Sequence, residues 1–259
     1  MLKIGVFDSG LGGLTVVQSM IDIIKGTEIF YIADTLHAPY GEKTPQEILK
    51  YSLHITHYFL DIHQIDVLVI ACNTATSAAI TFLRNTFPEL IIVGTEPAIK
   101  PAIEQSKTTH IGVLATPATL QGDKYQKLVE RLSLGTAITL HEQACPGLVE
   151  HIEHNTLKSQ ESMLLLHRWL EPMRENNVDT IVLGCTHYPL AKSVIKEVMK
   201  KEVTLLDSGD AIAHRVLSLI PKHDNTYDNS SQLHLYTTGK IDQQVVKNLL
   251  NKPIELIVL

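Results

Sequence analysis

Val67-Leu68-Val69-Ile70-Ala71-Cys72-Asn73-Thr74 and Thr180-Ile181-Val182-Leu183-Gly184-Cys185-Thr186-His187 are two versions of one pattern. In each, an unbroken apolar, largely β-branched run ends in a small residue and a cysteine. A run that is apolar at every position, not at every second one, reads as a strand buried on both faces, as in a parallel sheet covered by helices. A second pair of segments is echoed in the same order. Ile4-Gly5-Val6-Phe7 precedes Asp8-Ser9-Gly10, and Ile111-Gly112-Val113-Leu114 precedes Ala115-Thr116-Pro117. The second copy follows the first by 107 residues in one case and 113 in the other, as two diverged halves with unequal loops require.

Further strands are expected at Ile29–Ile32, Leu90–Val93, Thr136–Leu140 and Val203–Leu206. Helical spacing runs through Leu14–Lys25, Thr44–Gln64, Ala75–Asn85, Gly122–Leu132, Leu157–Asn176 and Pro189–Lys200. Strand–helix alternation implies α/β architecture, with parallel sheets joined by crossover helices. The repeat divides it into two similar, doubly wound domains related by pseudo-symmetry. The first covers residues 1–97 and the second 98–207, with 208–259 packing back onto the first. The polar stretch Lys222–Gln232 reads as a surface loop in that tail.

Bulk properties exclude several classes. The 22 Lys and Arg against 28 Asp and Glu give a net charge of -6, so nucleic acid is not an expected partner. The apolar runs are strand-length, well short of the roughly 20 residues of a membrane helix. No basic segment or cleavage site precedes the first strand, so no signal peptide is expected. Three widely spaced cysteines are not a disulfide framework. Together these features imply a reduced, cytoplasmic protein.

Open α/β sheets bind ligands outside the carboxyl ends of their strands. If the two halves face each other, Cys72 and Cys185 both point into the cleft between them. One thiol could then remove a Cα proton from one face of a substrate, and the other could deliver a proton to the opposite face. A lone cysteine after a strand is more often a core residue; the repeat reverses that weighting. Cys72 precedes a helix start, where partial positive charge favours thiolate. Asn73, Thr74, Thr76 and Ser77 offer donors there for an anionic group. An ordinary thiol is only a few per cent ionised at neutral pH, so each needs a base nearby. His187 stands two residues after Cys185. Asp8 could serve Cys72 as proton acceptor or orienter, or could simply cap the helix at Leu14–Lys25.

Asp8-Ser9-Gly10-Leu11-Gly12-Gly13, with Asp34 ending the second strand, superficially suggests a dinucleotide loop. The fingerprint needs a third glycine where Thr15 stands, so a small carboxylate approaching the glycine backbone is the better reading. Cys145 is read as structural. No Cys-x-x-Cys or His-Glu-x-x-His spacing occurs, and no metal is expected.

Four blocks carry a family resemblance over essentially the whole chain: Asp8–Leu14; Asp34-Thr35 with Pro39-Tyr40-Gly41; Ala71–Ala75; and Gly184-Cys185-Thr186-His187-Tyr188-Pro189-Leu190. In this order and spacing they resemble bacterial glutamate racemase, of the aspartate/glutamate racemase family. The resemblance implies two flavodoxin-like domains and interconversion of L- and D-glutamate with neither cofactor nor metal. It also implies D-glutamate supply for peptidoglycan and a homodimer. Carried over by motif, Cys72 acts on the D-enantiomer and Cys185 on the L-enantiomer, assisted by Asp8 and His187. Ser9, Tyr40, Gly41, Asn73, Thr74, Thr116, Thr119, Thr186 and His187 match substrate contacts, as does Asp8. The family's acidic residue after its Cys-Pro segment matches Glu153, although Glu150 replaces the usual proline and the two acids can be confused. His37 stands where an arginine is common and is given no catalytic role. Aspartate racemases share the fold and both thiols, but usually carry an acid where His187 stands. A cysteine-dependent lyase or decarboxylase needs only one thiol, and a binding protein would exchange no proton.

Overall fold

The computed structural model describes residues 1–220, 230–250 and 255–259. Most of the polar stretch Lys222–Gln232 lies outside the described residues. The chain forms two compact units, Met1–Thr95 with Gly209–Leu259, and Glu96–Ser208.

The first unit contains β1 (Leu2–Asp8), α1 (Leu14–Ile23), β2 (Thr27–Ala33), α2 (Pro45–Tyr58), β3 (Val67–Ile70), α3 (Asn73–Thr86) and β4 (Ile91–Gly94). The second contains α4 (Ile99–Gln105), β5 (His110–Ala115), α5 (Pro117–Gln121), α6 (Asp123–Ser133), β6 (Thr139–Ala144), α7 (Leu148–Glu153), α8 (Gln160–Glu175), β7 (Thr180–Gly184), α9 (Lys192–Met199) and β8 (Thr204–Leu206). The chain then returns to the first unit with α10 (Gly209–Leu219), β9 (Gln232–Thr237), α11 (Gln243–Leu250) and β10 (Leu256–Val258).

Every strand pair among the described residues is parallel. The first sheet has the order β10-β9-β2-β1-β3-β4, and the second β6-β5-β7-β8. The run β2-β1-β3-β4 therefore recurs as β6-β5-β7-β8, so the sequence repeat is a repeat of topology. In both units the cysteine-bearing strand lies beside the strand of the other echoed motif: Phe7 pairs with Ile70, and Ala115 with Gly184.

Each sheet is apolar on both faces. Ile4, Val6, Val67 and Val69 pack with α1 and α10. Phe7, Leu68 and Ile70, offset by one position, pack against α2 and α3. In the second sheet Ile181 and Leu183 face α8 and α9, whereas Ile111, Val113 and Val182 face α4 and α6. Each such side chain contributes about 1.5–3 kcal/mol by leaving water, and this is why the strands read as continuous apolar runs.

Two boundaries differ from the sequence reading in an informative way. The strand expected at Thr136–Leu140 is β6, at Thr139–Ala144. Gly135 adopts φ +75 and Thr136 folds back on the Ser133 carbonyl, so this stretch is a turn. The helix expected over Thr44–Gln64 is regular to Tyr58, widens into a π turn over Phe59–His63, and stops at left-handed Gln64. Thr44 and Glu47 form a reciprocal capping box at its start.

Candidate active site

In the first unit the side chains converge at the carboxyl ends of β1, β2 and β3. Cys72 is the N-cap of α3, and its Sγ accepts the Ala75 amide N–H at 3.4 Å. An amide at a helix N-terminus aimed at sulfur stabilises negative charge there. The Ser9 hydroxyl lies 3.9 Å from the same Sγ. Thr95 holds the strand end in place, its hydroxyl donating to the Ile70 and Ala71 carbonyls at 2.8 Å each. Thr76, expected as a ligand donor, instead donates to the Ile70 carbonyl and accepts the Thr95 amide, so its hydroxyl is committed to the scaffold.

Asp8 is fully buried at the end of β1. Its carboxylate accepts the Ser9 amide at 2.8 Å and the Gly13 amide at 2.5 Å. The glycine loop thus wraps around a carboxylate belonging to the protein itself. Gly13 has to be glycine: a Cβ there would lie 2.7 Å from the Asp8 Cβ and 2.8 Å from the Tyr31 hydroxyl. Tyr31 in turn donates to the Gly10 carbonyl at 2.6 Å. No side chain caps α1 at its N-cap, Gly13.

Asp34, the other acid of the dinucleotide reading, accepts hydrogen bonds from Tyr40 Oη at 2.5 Å and Thr238 Oγ1 at 2.8 Å, with His37 Nδ1 2.9 Å away. It organises the Tyr40 loop. Burial, then the charge and hydrogen bond of Asp34, and then Cys72 and Asp8 push the Tyr40 hydroxyl far above its ordinary pKa, so Tyr40 stays a neutral donor. Gly41 follows it, half-buried. Asn73 and Thr74 are buried in the first turn of α3. The Asn73 Oδ1 has no hydrogen-bond partner among the described residues, an arrangement that costs about 1–3 kcal/mol unless a ligand supplies one.

In the second unit Cys185 follows β7 directly. Its Sγ lies 3.8 Å from His187 Nδ1, and His187 Nε2 lies 2.8 Å from Glu153 Oε1. Thiol, imidazole and carboxylate therefore form a line, with His187 buried and Glu153 partly exposed. The geometry separates the two acids that the sequence left confusable: Glu153 meets the imidazole. Glu150 is one of the charges acting on Tyr188.

Tyr188 is fully buried and donates to the Cys145 carbonyl at 3.2 Å. Burial and then the neighbouring Cys185 raise the Cys145 thiol well above its ordinary pKa, which keeps it protonated. Thr116 caps α5, and its hydroxyl lies 2.9 Å from that of Thr119. Thr116, Thr119 and Thr186 are all buried at this strand end. All three cysteines are free. Among the described residues no group of three or more His, Cys, Asp and Glu is arranged to hold a metal ion, and no helix is long and apolar enough to cross a membrane. Sequence reasoning missed Thr95, whose role depends on a contact 24 and 25 residues away that no local pattern signals.

The chain matches the family model for Asp/Glu/hydantoin racemase over residues 4–216. A glutamate racemase of Sulfurovum sp. is 61% identical over 251 residues, covering 96% of this chain and 94% of that protein. The fold matches a glutamate racemase isoform from Bacillus anthracis with a TM-score of 0.86 at 29% identity, covering 100% of this chain and 97% of that one. It also matches Escherichia coli glutamate racemase in complex with L-glutamate and the activator UDP-MurNAc-Ala, with a TM-score of 0.83 at 29% identity over 99% and 97% of the two chains. In sequence and in fold, over nearly its whole length, the chain belongs to the Asp/Glu/hydantoin racemase family and is an amino-acid racemase.

Proposed function

We propose that this racemase interconverts L- and D-glutamate without a cofactor, using Cys72 and Cys185 as its two bases. Starting from D-glutamate, the Cys72 thiolate takes the Cα proton and becomes a thiol. The electron pair stays on the planar carbanion, conjugated with the α-carboxylate. The Cys185 thiol then gives its proton to the opposite face, releasing L-glutamate and leaving Cys185 as thiolate. The reverse reaction exchanges the two roles. The observation that carries this reading is the recurrence of one strand order with a buried thiol at the same strand end in each copy.

Asp8 assists Cys72 in this scheme, and His187, backed by Glu153, assists Cys185. The unpartnered Asn73 Oδ1 is assigned to the substrate ammonium. The carboxylates take donors from Ser9, Tyr40, Gly41, Thr74, Thr116, Thr119 and Thr186; short hydroxyls and amides hold anions without net positive charge. We assign the D-glutamate to peptidoglycan synthesis, the reaction to the reducing cytoplasm and the working assembly to a homodimer. The high identity to a glutamate racemase supports the choice of substrate.

Circular dichroism of D-glutamate with purified protein, EDTA and no added cofactor tests the proposal. The optical signal should decay to zero, with aspartate turned over far more slowly. A flat trace from folded protein, or aspartate as the better substrate, contradicts it.

A further inference from the structure

Glu153 reaches His187 from the end of a helix that has little of its own to hold it in place. α7 is six residues long, Glu153 is its last, and Gly147 opens it at φ +83 with no side-chain cap. A helix that short owes its position to tertiary packing, not to its own hydrogen bonds. The Glu153 side chain is 21% exposed, so water competes with His187 for its carboxylate. The pair forms only as well as α7 is placed.

Tyr188 supplies that placement. It follows His187 directly, and its amide donates to the Cys185 carbonyl at 3.1 Å, closing the turn that carries thiol and imidazole. Its side chain is fully buried in one cluster with Leu148 and Ile152, the apolar side of α7. Its hydroxyl donates to the Cys145 carbonyl at 3.2 Å, just ahead of α7. That carbonyl also takes the Leu148 amide, at 3.4 Å. Burial, then Cys185, Cys145 and Glu150, push the Tyr188 hydroxyl well above its ordinary pKa, so it keeps the proton it donates. A buried tyrosine hydroxyl is held to its partner because leaving it unpaired costs free energy. One residue therefore grips both sides of the Glu153–His187 contact: its backbone closes the turn with His187, and its hydroxyl and ring fix the entry to α7. Phenylalanine would fill the same cluster, so the oxygen is what apolar packing alone does not require.

We propose that Tyr188 is a positioning residue for the Cys185 half of the reaction, acting through its hydroxyl on the Cys145 carbonyl to set Glu153 against His187. The kinetic consequence rests on the two-thiol reading above; the consequence at the His187 ring does not.

Tyr188→Phe deletes one oxygen and keeps the ring. Tyr125→Phe is the matched control, since its hydroxyl, also on a buried ring of this unit, donates to Glu142 at 2.5 Å on the other face of the sheet. Each substitution removes a single atom, so both proteins keep the fold. Tyr188→Phe should lower kcat/KM for glutamate about 3- to 10-fold, the range that one neutral hydrogen bond covers. Tyr125→Phe should leave it unchanged. Combined with Glu153→Gln, Tyr188→Phe should cost no more than about a further twofold, because the carboxylate it places is already gone. The ring nitrogen resonances of His187, assigned by their loss in His187→Asn, should move in Tyr188→Phe in the direction in which Glu153→Gln moves them. In Tyr125→Phe they should stay in place. Unchanged turnover in Tyr188→Phe, losses that multiply with Glu153→Gln, an equal loss in Tyr125→Phe, or unmoved His187 resonances overturn the proposal. If the wild type turns over no glutamate, the functional reading falls and the resonances alone decide. Moved, they leave Tyr188 in its positioning role; unmoved, they remove it.

Discussion

Glu153→Gln isolates the contribution of one charge to one half of the proposed reaction. The substituted amide can still accept from His187 Nε2 across the 2.8 Å gap, so what is removed is charge assistance. Hydrogen bonds to charged groups are worth about 1.5–3 kcal/mol, against about 0.5–1.5 for neutral ones. The difference, about 1–2 kcal/mol, raises the transition state for proton transfer at Cys185 and lowers kcat/KM by about 5- to 30-fold. For a racemase the equilibrium constant is unity, so kcat/KM must fall equally in both directions. The asymmetry appears elsewhere. With substrate deuterated at Cα, L-glutamate loses its deuteron in the step that has become limiting and should show a large primary isotope effect. D-glutamate loses its deuteron earlier, at Cys72, and should show a small one. Asp8→Asn should invert the pattern. A loss below about twofold, or isotope effects equal in the two directions, would refute the assignment of Glu153 to the Cys185 side.

Cys72→Ser and Cys185→Ser should each lower racemization by at least about 100-fold, because each face of Cα needs its own proton carrier; retained turnover in either variant, by the same optical assay, removes that residue from the mechanism. Gly13→Ala forces a Cβ to within 2.7 Å of the Asp8 Cβ, so urea unfolding should report about 1–3 kcal/mol of destabilisation, with lost activity as Asp8 shifts; an unchanged midpoint would contradict the tight packing. Asp179 is pulled both ways. Partial desolvation, the largest influence, raises its pKa, but hydrogen bonds from Ser106, the amides of Lys107 and Thr108, and Thr180 outweigh it and hold the carboxyl at about 2. A carboxyl depressed in the folded state stabilises the fold above its unfolded pKa of about 3.9 and loses that contribution as pH falls toward the folded value. The stability gap between wild type and Asp179→Asn should therefore be constant near neutrality and shrink below about pH 4; a gap that widens in acid would contradict this sign.

What the sequence made legible follows from how strongly each element is constrained. β1, β3, β5 and β7 are central strands covered on both faces, so their inner stretches, residues 4–7, 67–70, 111–115 and 181–184, carry no polar residue, and the thiols that follow β3 and β7 could be placed from sequence. β6 is an edge strand, and it carries His141, Glu142 and Gln143. A criterion built on apolar runs therefore found only its beginning and took a turn for its start. β9 is half-exposed at its beginning and reaches β2 across about 200 residues of chain; its pairing has no local signature. The same holds for Thr238 on Asp34 and for Thr95 on the strand end before Cys72. Asp34 shows the converse, since a residue that matches a dinucleotide motif by position is fully occupied by Tyr40, His37 and Thr238. His187 and Glu153 lie 34 residues apart and meet because α7 packs against the turn that follows β7. Only the resemblance pointed to Glu153 beforehand, and it left Glu150 as a rival.

The measurement that tests the two-thiol account most directly is racemization in deuterium oxide, with EDTA and no added cofactor, followed by mass and chirality of each enantiomer in the first few per cent of conversion. Starting from unlabelled D-glutamate, the account predicts that the L-glutamate formed carries deuterium at Cα from the first turnover, because its hydrogen comes from a solvent-exchanged thiol on the opposite face, while the remaining D-glutamate stays largely unlabelled. L-glutamate that retains the original hydrogen would mean that a single base both removes and returns the proton, and would contradict the account.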